Sequence, residues 1–199
     1  MTGVVQHETK GAREARMKRC TDILAGKLHS VAFVSELDLH NLQLGDARMA
    51  DVFARLAEAE SIERLAIGFN ILRRDAMKAL GESPLSARLV ELDLTGNHLG
   101  EAGIAALAAR RFPRLERLGL GWCHLEDSAA PSLADAPGMP VLRDLSLRRN
   151  AFTDEGALVL AASERLRAQI GRIDFDYNDE VTRRGMTALQ RAFGSALVS

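Results

Sequence analysis

The chain has 199 residues, of which 47% are hydrophobic and 27% charged, with a formal net charge of −1. That length supports one domain with a substantial core, and the near-neutral charge argues against a general nucleic-acid binder, which carries a basic excess. No apolar run reaches the length of a membrane span, and the N-terminal MTGVVQHETKGAREARMKRC lacks the apolar core of a Sec-type signal peptide.

Residues 1–10 are expected to be disordered. The stretch GAREARMKRCTDILAGKL, from about Gly11 to Leu28, reads as an amphipathic helix, and residues 11–30 are assigned to an N-terminal cap. From Val34 onward one pattern recurs: Leu-x-x-Leu-x-Leu-x-x-Asn-x-Leu. Its six copies start at Val34, Ile62, Leu89, Leu115, Leu142 and Ile170, at intervals of 28, 27, 26, 27 and 28 residues. A fixed period of this size marks a solenoid, and residues 34–199 form one repeat domain that includes a C-terminal cap.

The fourth position of each copy is Leu37, Leu65, Leu92, Leu118, Leu145 or Ile173, and the sixth is Leu39, Ile67, Leu94, Leu120, Leu147 or Phe175. This alternation predicts a short strand with every second side chain inward. The ninth position is Leu42, Asn70, Asn97, Cys123, Asn150 or Asn178. An Asn there can satisfy buried backbone groups where the strand turns into a loop. A mostly small column follows, Arg48, Ala76, Gly103, Ala129, Gly156 and Gly185, which lets a helix start pack closely. The stretches GIAALAAR, GALVLAAS and GMTALQRAF are predicted helices, preceded by acidic or hydroxyl residues such as Thr153-Asp154-Glu155 where N-caps belong. Pro131 falls in the tolerated first turn of its helix.

On these columns the chain resembles the leucine-rich repeat family, specifically its ribonuclease-inhibitor-like class, over about residues 34–193. The resemblance implies an α/β solenoid, a horseshoe arc with parallel strands on the concave face and helices on the convex face. Leu42 and Arg48 depart from the pattern in the first copy, as terminal repeats that cap a stack often do. The excess of Arg over Lys and the abundance of Ala fit a GC-rich bacterial genome. The family also includes inhibitors, GTPase activators and exported bacterial effectors.

The remaining strand positions face solvent, where solenoids usually bind. The third position reads Glu36, Arg64, Glu91, Arg117, Asp144, Arg172, alternating in sign at every step. It forms either a surface salt-bridge ladder or a charge pattern that selects a partner. The eighth reads Asn41, Phe69, Gly96, Trp122, Arg149, Tyr177. Its rings either shield the loop edge or form a row of anchors, since Trp, Tyr and Arg dominate interface hot spots. Arg148 and Arg149 stand beside this row, a local basic patch suited to a partner's carboxylates and offset by Asp174 and Asp176. Candidate partner-binding residues are therefore Phe69, Trp122, Tyr177, Arg64, Arg117, Arg148, Arg149 and Arg172.

No catalytic set, cofactor motif or metal set is expected. His98 and His124 share a column, but no third ligand lies near them in it. His40 has no neighbouring Ser or Cys to activate. Cys20 and Cys123 form no disulfide or metal pattern, which makes a reducing cytoplasm the default and non-Sec export the alternative. The expected function is non-catalytic binding of a protein partner through the concave strand face, with regulation of a partner enzyme or a secreted-effector role as alternatives. Neither nucleic acid nor membrane is expected as a partner, and the chain is expected to be a monomer or weak homodimer.

Overall fold

A computed structural model describes residues 9–31 and 33–198. Residues 1–8, most of the segment expected to lack order, lie outside the described residues. Thr9 already caps helix α1, Lys10–Leu24, its side chain accepting from the amide of Ala12. That helix buries Arg16, Cys20 and Ile23 and packs against the first repeat helix. No helix among the described residues is long and apolar enough to cross a membrane.

Six strands follow at the repeat period: β1 Glu36–Asp38, β2 Arg64–Ala66, β3 Glu91–Asp93, β4 Arg117–Gly119, β5 Asp144–Ser146 and β6 Arg172–Asp174. The C-terminal stretch adds β7, Leu197–Val198, so seven parallel strands pair in sequence order. The register aligns equal repeat positions, with Leu37, Leu65, Leu92, Leu118, Leu145 and Ile173 forming one row. Between the strands run α2 (Gly45–Leu56), α3 (Arg74–Glu82), α4 (Gly100–Ala108), α5 (Ala130–Ala134), α6 (Asp154–Ala162), α7 (Glu164–Gln169) and α8 (Arg183–Phe193). Helix α5 is short, with Pro131 in its first turn as expected. The chain is thus an α/β leucine-rich-repeat solenoid, and one continuous core runs from Cys20 and Ile23 to Phe193.

The ninth-position asparagines tie the copies together. Asn70 accepts the amides of Leu42 and Leu44 from the preceding copy at 3.2 and 3.3 Å, while its own amide donates to the carbonyls of Leu39 and Ile67. Asn97 repeats this for the amides of Asn70 and Leu72, and Asn150 for those of Cys123 and Leu125. Cys123 breaks the series: its thiol donates to the Leu94 carbonyl at 3.2 Å but offers no amide oxygen to the copy before it. Burial pushes that thiol up to about 12, so it stays protonated and unreactive.

The helix ends are also closed across copies. The Asp127 carboxylate accepts the amides of Thr153 and Gly156 and the Thr153 hydroxyl, all one copy later. Asp154 does the same for Thr182 and Gly185. This is why the small column is Gly at those two places: a Cβ on Gly156 would overlap the Asp127 carboxylate, and one on Gly185 would meet that of Asp154 at 2.5 Å. At the opposite helix ends Arg88 donates to the Leu56 and Ala59 carbonyls, and Arg165 to those of Leu133 and Ala134.

Replacing Asn97 by Ala should lower stability by about 1–3 kcal/mol, because buried donors and acceptors lose their partner. Cys123→Asn should raise it by about 1 kcal/mol by completing the series; urea unfolding reads both. Hydrogen bonds from Thr182 hold the Asp154 carboxyl below its ordinary value of 3.8. A lowered carboxyl stabilises the fold above its unfolded pKa and loses that contribution as pH falls through the folded one. An Asp154→Asn variant should therefore show a shallower loss of stability below about pH 5 than the parent, measured by thermal unfolding across pH.

Candidate functional site

The solvent side of the sheet is built from positions three, five and seven of each copy. At position three the alternating charges resolve into discrete pairs. Each arginine reaches back to the preceding copy: Arg64 to Glu36 at 3.4 Å, Arg117 to Glu91 at 2.8 Å and Arg172 to Asp144 at 3.1 Å. The Glu91 hydrogen bond holds the Arg117 guanidinium above its ordinary pKa. Of the eight candidate residues, these three are engaged inside the molecule, in separate pairs rather than a continuous ladder.

Position five carries Asp38, Asp93 and Asp174, and each accepts the amide two residues on, from His40, Thr95 and Asp176. These aspartates therefore close their own strand ends. Asp38 also meets the His40 ring at 2.6 Å and the near-buried Arg16 guanidinium at 3.6 Å. In this way helix α1 is fastened to the first copy. Between Asp93 and Ser146 the small Gly119 leaves a shallow recess of about 190 Å³, bordered also by Glu91, Arg117 and Asp144.

The aromatic column is not on the strands. Each strand ends at position five, so Phe69, Trp122 and Tyr177 stand three residues beyond the ends of β2, β4 and β6. They occupy a ridge where the chain leaves the sheet. The expectation of anchors on the concave strand face is corrected accordingly. The physical cause is a turn that every copy repeats. All six residues of this column, Asn41, Phe69, Gly96, Trp122, Arg149 and Tyr177, have φ between 54° and 73°. Side chains pay roughly 1–2 kcal/mol for that left-handed conformation, least at Gly. The ridge amides fix it: Phe69 N donates to the Thr95 carbonyl and Arg149 N to that of Asp176, each at 2.8 Å.

The rings are half exposed, at 48% for Phe69, 51% for Trp122 and 52% for Tyr177, and Ile71 beside Phe69 is 42% exposed. Among the described residues, those four are joined as exposed large apolar side chains only by Phe33, Val34 and Val159. The ridge thus gathers four of the seven exposed large apolar side chains among the described residues. Phe69 lies flat over Gly96 of the next copy, so closely that a Cβ there would overlap the ring. Trp122 and Tyr177 are bridged by Arg149, whose guanidinium carbon is 5.1 Å from the first ring centre and 4.2 Å from the second. Arg148 approaches the Tyr177 ring at 5.5 Å. The structure therefore joins two separate sequence features, the aromatic column and the Arg148–Arg149 pair, into one stack.

His98 and His124 extend the ridge two positions further along their copies, with ring centres 4.8 Å apart in an edge-to-face arrangement. No group of three or more metal-ligating side chains occurs among the described residues. The cross-copy caps at Asp127 and Asp154 escaped the sequence reading. Their signal was present as a recurring Asp at position thirteen (Asp46, Asp127, Asp154), met one copy later by a hydroxyl residue for the last two (Thr153, Thr182) and by the amide of Arg73 for the first.

The family model "Leucine Rich repeat" matches residues 88–108 and 138–161. Ribonuclease inhibitor of Sus scrofa is 30% identical over 146 residues, covering 70% of this chain and 32% of that protein. NACHT, LRR and PYD domains-containing protein 12 of Mus musculus is 29% identical over 170 residues, covering 78% of this chain and 16% of that protein. The chain thus spans a third or less of these relatives, and the mammalian matches do not support the bacterial source expected from composition. Among solved structures, "Leiomodin-1 Actin-Binding Site 2 (ABS2)" superposes with a TM-score of 0.50 over 95% of this chain and 90% of that one, at 10% identity.

Gly96→Ala should destabilise the fold by about 1–2 kcal/mol, through the positive φ and the displaced Phe69 ring. Pairing it with Phe69→Ala should recover part of that loss; a thermal-unfolding double-mutant cycle checks the coupling.

Proposed function

We propose that this leucine-rich-repeat solenoid is a non-catalytic binding module, which holds a protein partner along the ridge and the adjoining strand face. One observation carries the reading: Phe69, Ile71, Trp122 and Tyr177, all about half exposed, line a single edge of the molecule. Large rings there give contact area at little entropic cost, because the backbone beneath them is already fixed. The paired charges at position three surround this area with a polar rim, which favours one partner over others more than it adds affinity. The similarity to a ribonuclease inhibitor favours, as a second reading, regulation of a partner enzyme. The module's work is assigned to a reducing cytoplasm, in keeping with two buried free cysteines.

The test is partner capture with the wild type and a folded Trp122→Ala, Tyr177→Ala variant as baits, read by mass spectrometry. Loss of a partner in the variant is the expected result. Equal retention by both baits moves the site off the ridge. If the partner is an enzyme, a change in its rate on binding supports regulation, and an unchanged rate leaves a binding module alone.

A further inference from the structure

Five arginines stand on or beside the strand face, and they are not equivalent. Arg64, Arg117 and Arg172 each already hold a carboxylate, so an incoming anion has to displace an existing pair. Arg148 and Arg149 make no ion pair among the described residues. The neighbouring acids do not neutralise them. Asp174 is near-buried, accepts the Asp176 amide and lies 3.8 Å from Arg172. Asp176, Asp179 and Glu180 follow on the same strand end and loop, and form no ion pair with either arginine.

Arg149 is held instead by the faces of two rings, 5.1 and 4.2 Å away. Attraction to an aromatic face uses the charge of the guanidinium and leaves its in-plane N–H donors free for an acceptor. None of those donors has a partner among the described residues. Beside it, the Nε of Arg148 is buried with no hydrogen-bond partner. The Arg149 side chain is exposed, so its N–H donors face solvent and stand open to an incoming acceptor.

We infer that Arg149, clamped between Trp122 and Tyr177 and supported by Arg148, is the docking point for a carboxylate on an acidic segment of the partner protein. The inference rests on the ridge being the binding surface and names the chemistry it recognises. A guanidinium fork takes a carboxylate through two parallel hydrogen bonds. The rings hold the fork in place beforehand, so little freedom is lost on binding.

Trp122 is the chain's single tryptophan, so its emission reports directly on this stack. The full chain is titrated with a short oligoglutamate peptide, with oligolysine and oligoglutamine of equal length, and with inorganic phosphate. Only oligoglutamate should give a saturable change that salt weakens. Arg149→Gln should weaken it about tenfold or more, and Arg149→Lys, which keeps the charge without the fork, should fall between. Arg184→Gln, which breaks an exposed ion pair with Glu155 at the start of α8, away from the ridge, should leave it within about twofold. Circular dichroism confirms folding, and if Arg149→Gln does not fold, Arg149→Lys decides. Absence of a response to oligoglutamate, an equal response to oligolysine or oligoglutamine, or unchanged affinity in the variants overturns the inference. An equal response to phosphate also overturns it, in favour of a phosphate-bearing ligand. A captured partner lost by the Trp122→Ala, Tyr177→Ala bait but kept by Arg149→Gln leaves the binding reading standing and sinks this one alone.

Discussion

The ninth-position side-chain amide is the constraint on which the rest of the molecule depends. One asparagine serves backbone groups of two successive copies, as Asn70 does for Leu42 and Leu44 behind it and Ile67 within its own. A slip of one residue would leave buried amides and carbonyls unpaired at several levels at once. The strands therefore stack in register, position on position. Parallel strands lie about 4.8 Å apart while packed helices need about 8–10 Å, so the strand side has to be the inside of the curve. The rows of charges, the aspartate turns and the aromatic ridge all inherit their alignment from this one repeated contact.

The ridge shows how that alignment creates a surface. Stacking brings position eight of every copy to the same edge in the same left-handed backbone conformation. Strained conformations persist where the surrounding structure over-determines them, and they concentrate where molecules act. Here the amide ladder over-determines the turn, and the side chains upon it are rings and an arginine. Glycine at 96 lets Phe69 lie flat, and Arg149 fills the space between Trp122 and Tyr177. The edge thus holds two half-exposed features, the Phe69 ring over Gly96 and the stack of Trp122, Arg149 and Tyr177.

The fold was legible because its determinants are columns, and a column can be read from one chain. Leu92, Leu94 and Asn97 each answer to a local requirement, an inward side chain or an unpaired backbone group. The helix starts at Asp127 and Asp154 were only half legible, since the acids were visible as N-terminal residues while the helices they close belong to the next copy. The candidate site was legible in its members and not in its arrangement. Nothing in the order of residues places Trp122 past the end of a three-residue strand, or sets Arg149 between two rings that are 55 residues apart in the chain. Those facts depend on where each strand stops and on rotamers chosen among neighbours from three copies.

The alternating row at position three has a consequence for the ancestry and engineering of such a chain. Its ion pairs join the first copy to the second, the third to the fourth and the fifth to the sixth. Excising the third copy alone would set Arg64 beside Arg117, whereas excising the third and fourth together would set Arg64 beside Asp144 and keep the order of signs. Like charges directly opposite each other on neighbouring strands repel. The modular unit of this array is therefore the doublet rather than the single repeat. Lengthening or shortening it by even steps conserves the electrostatic phase, and odd steps introduce a fault at the seam.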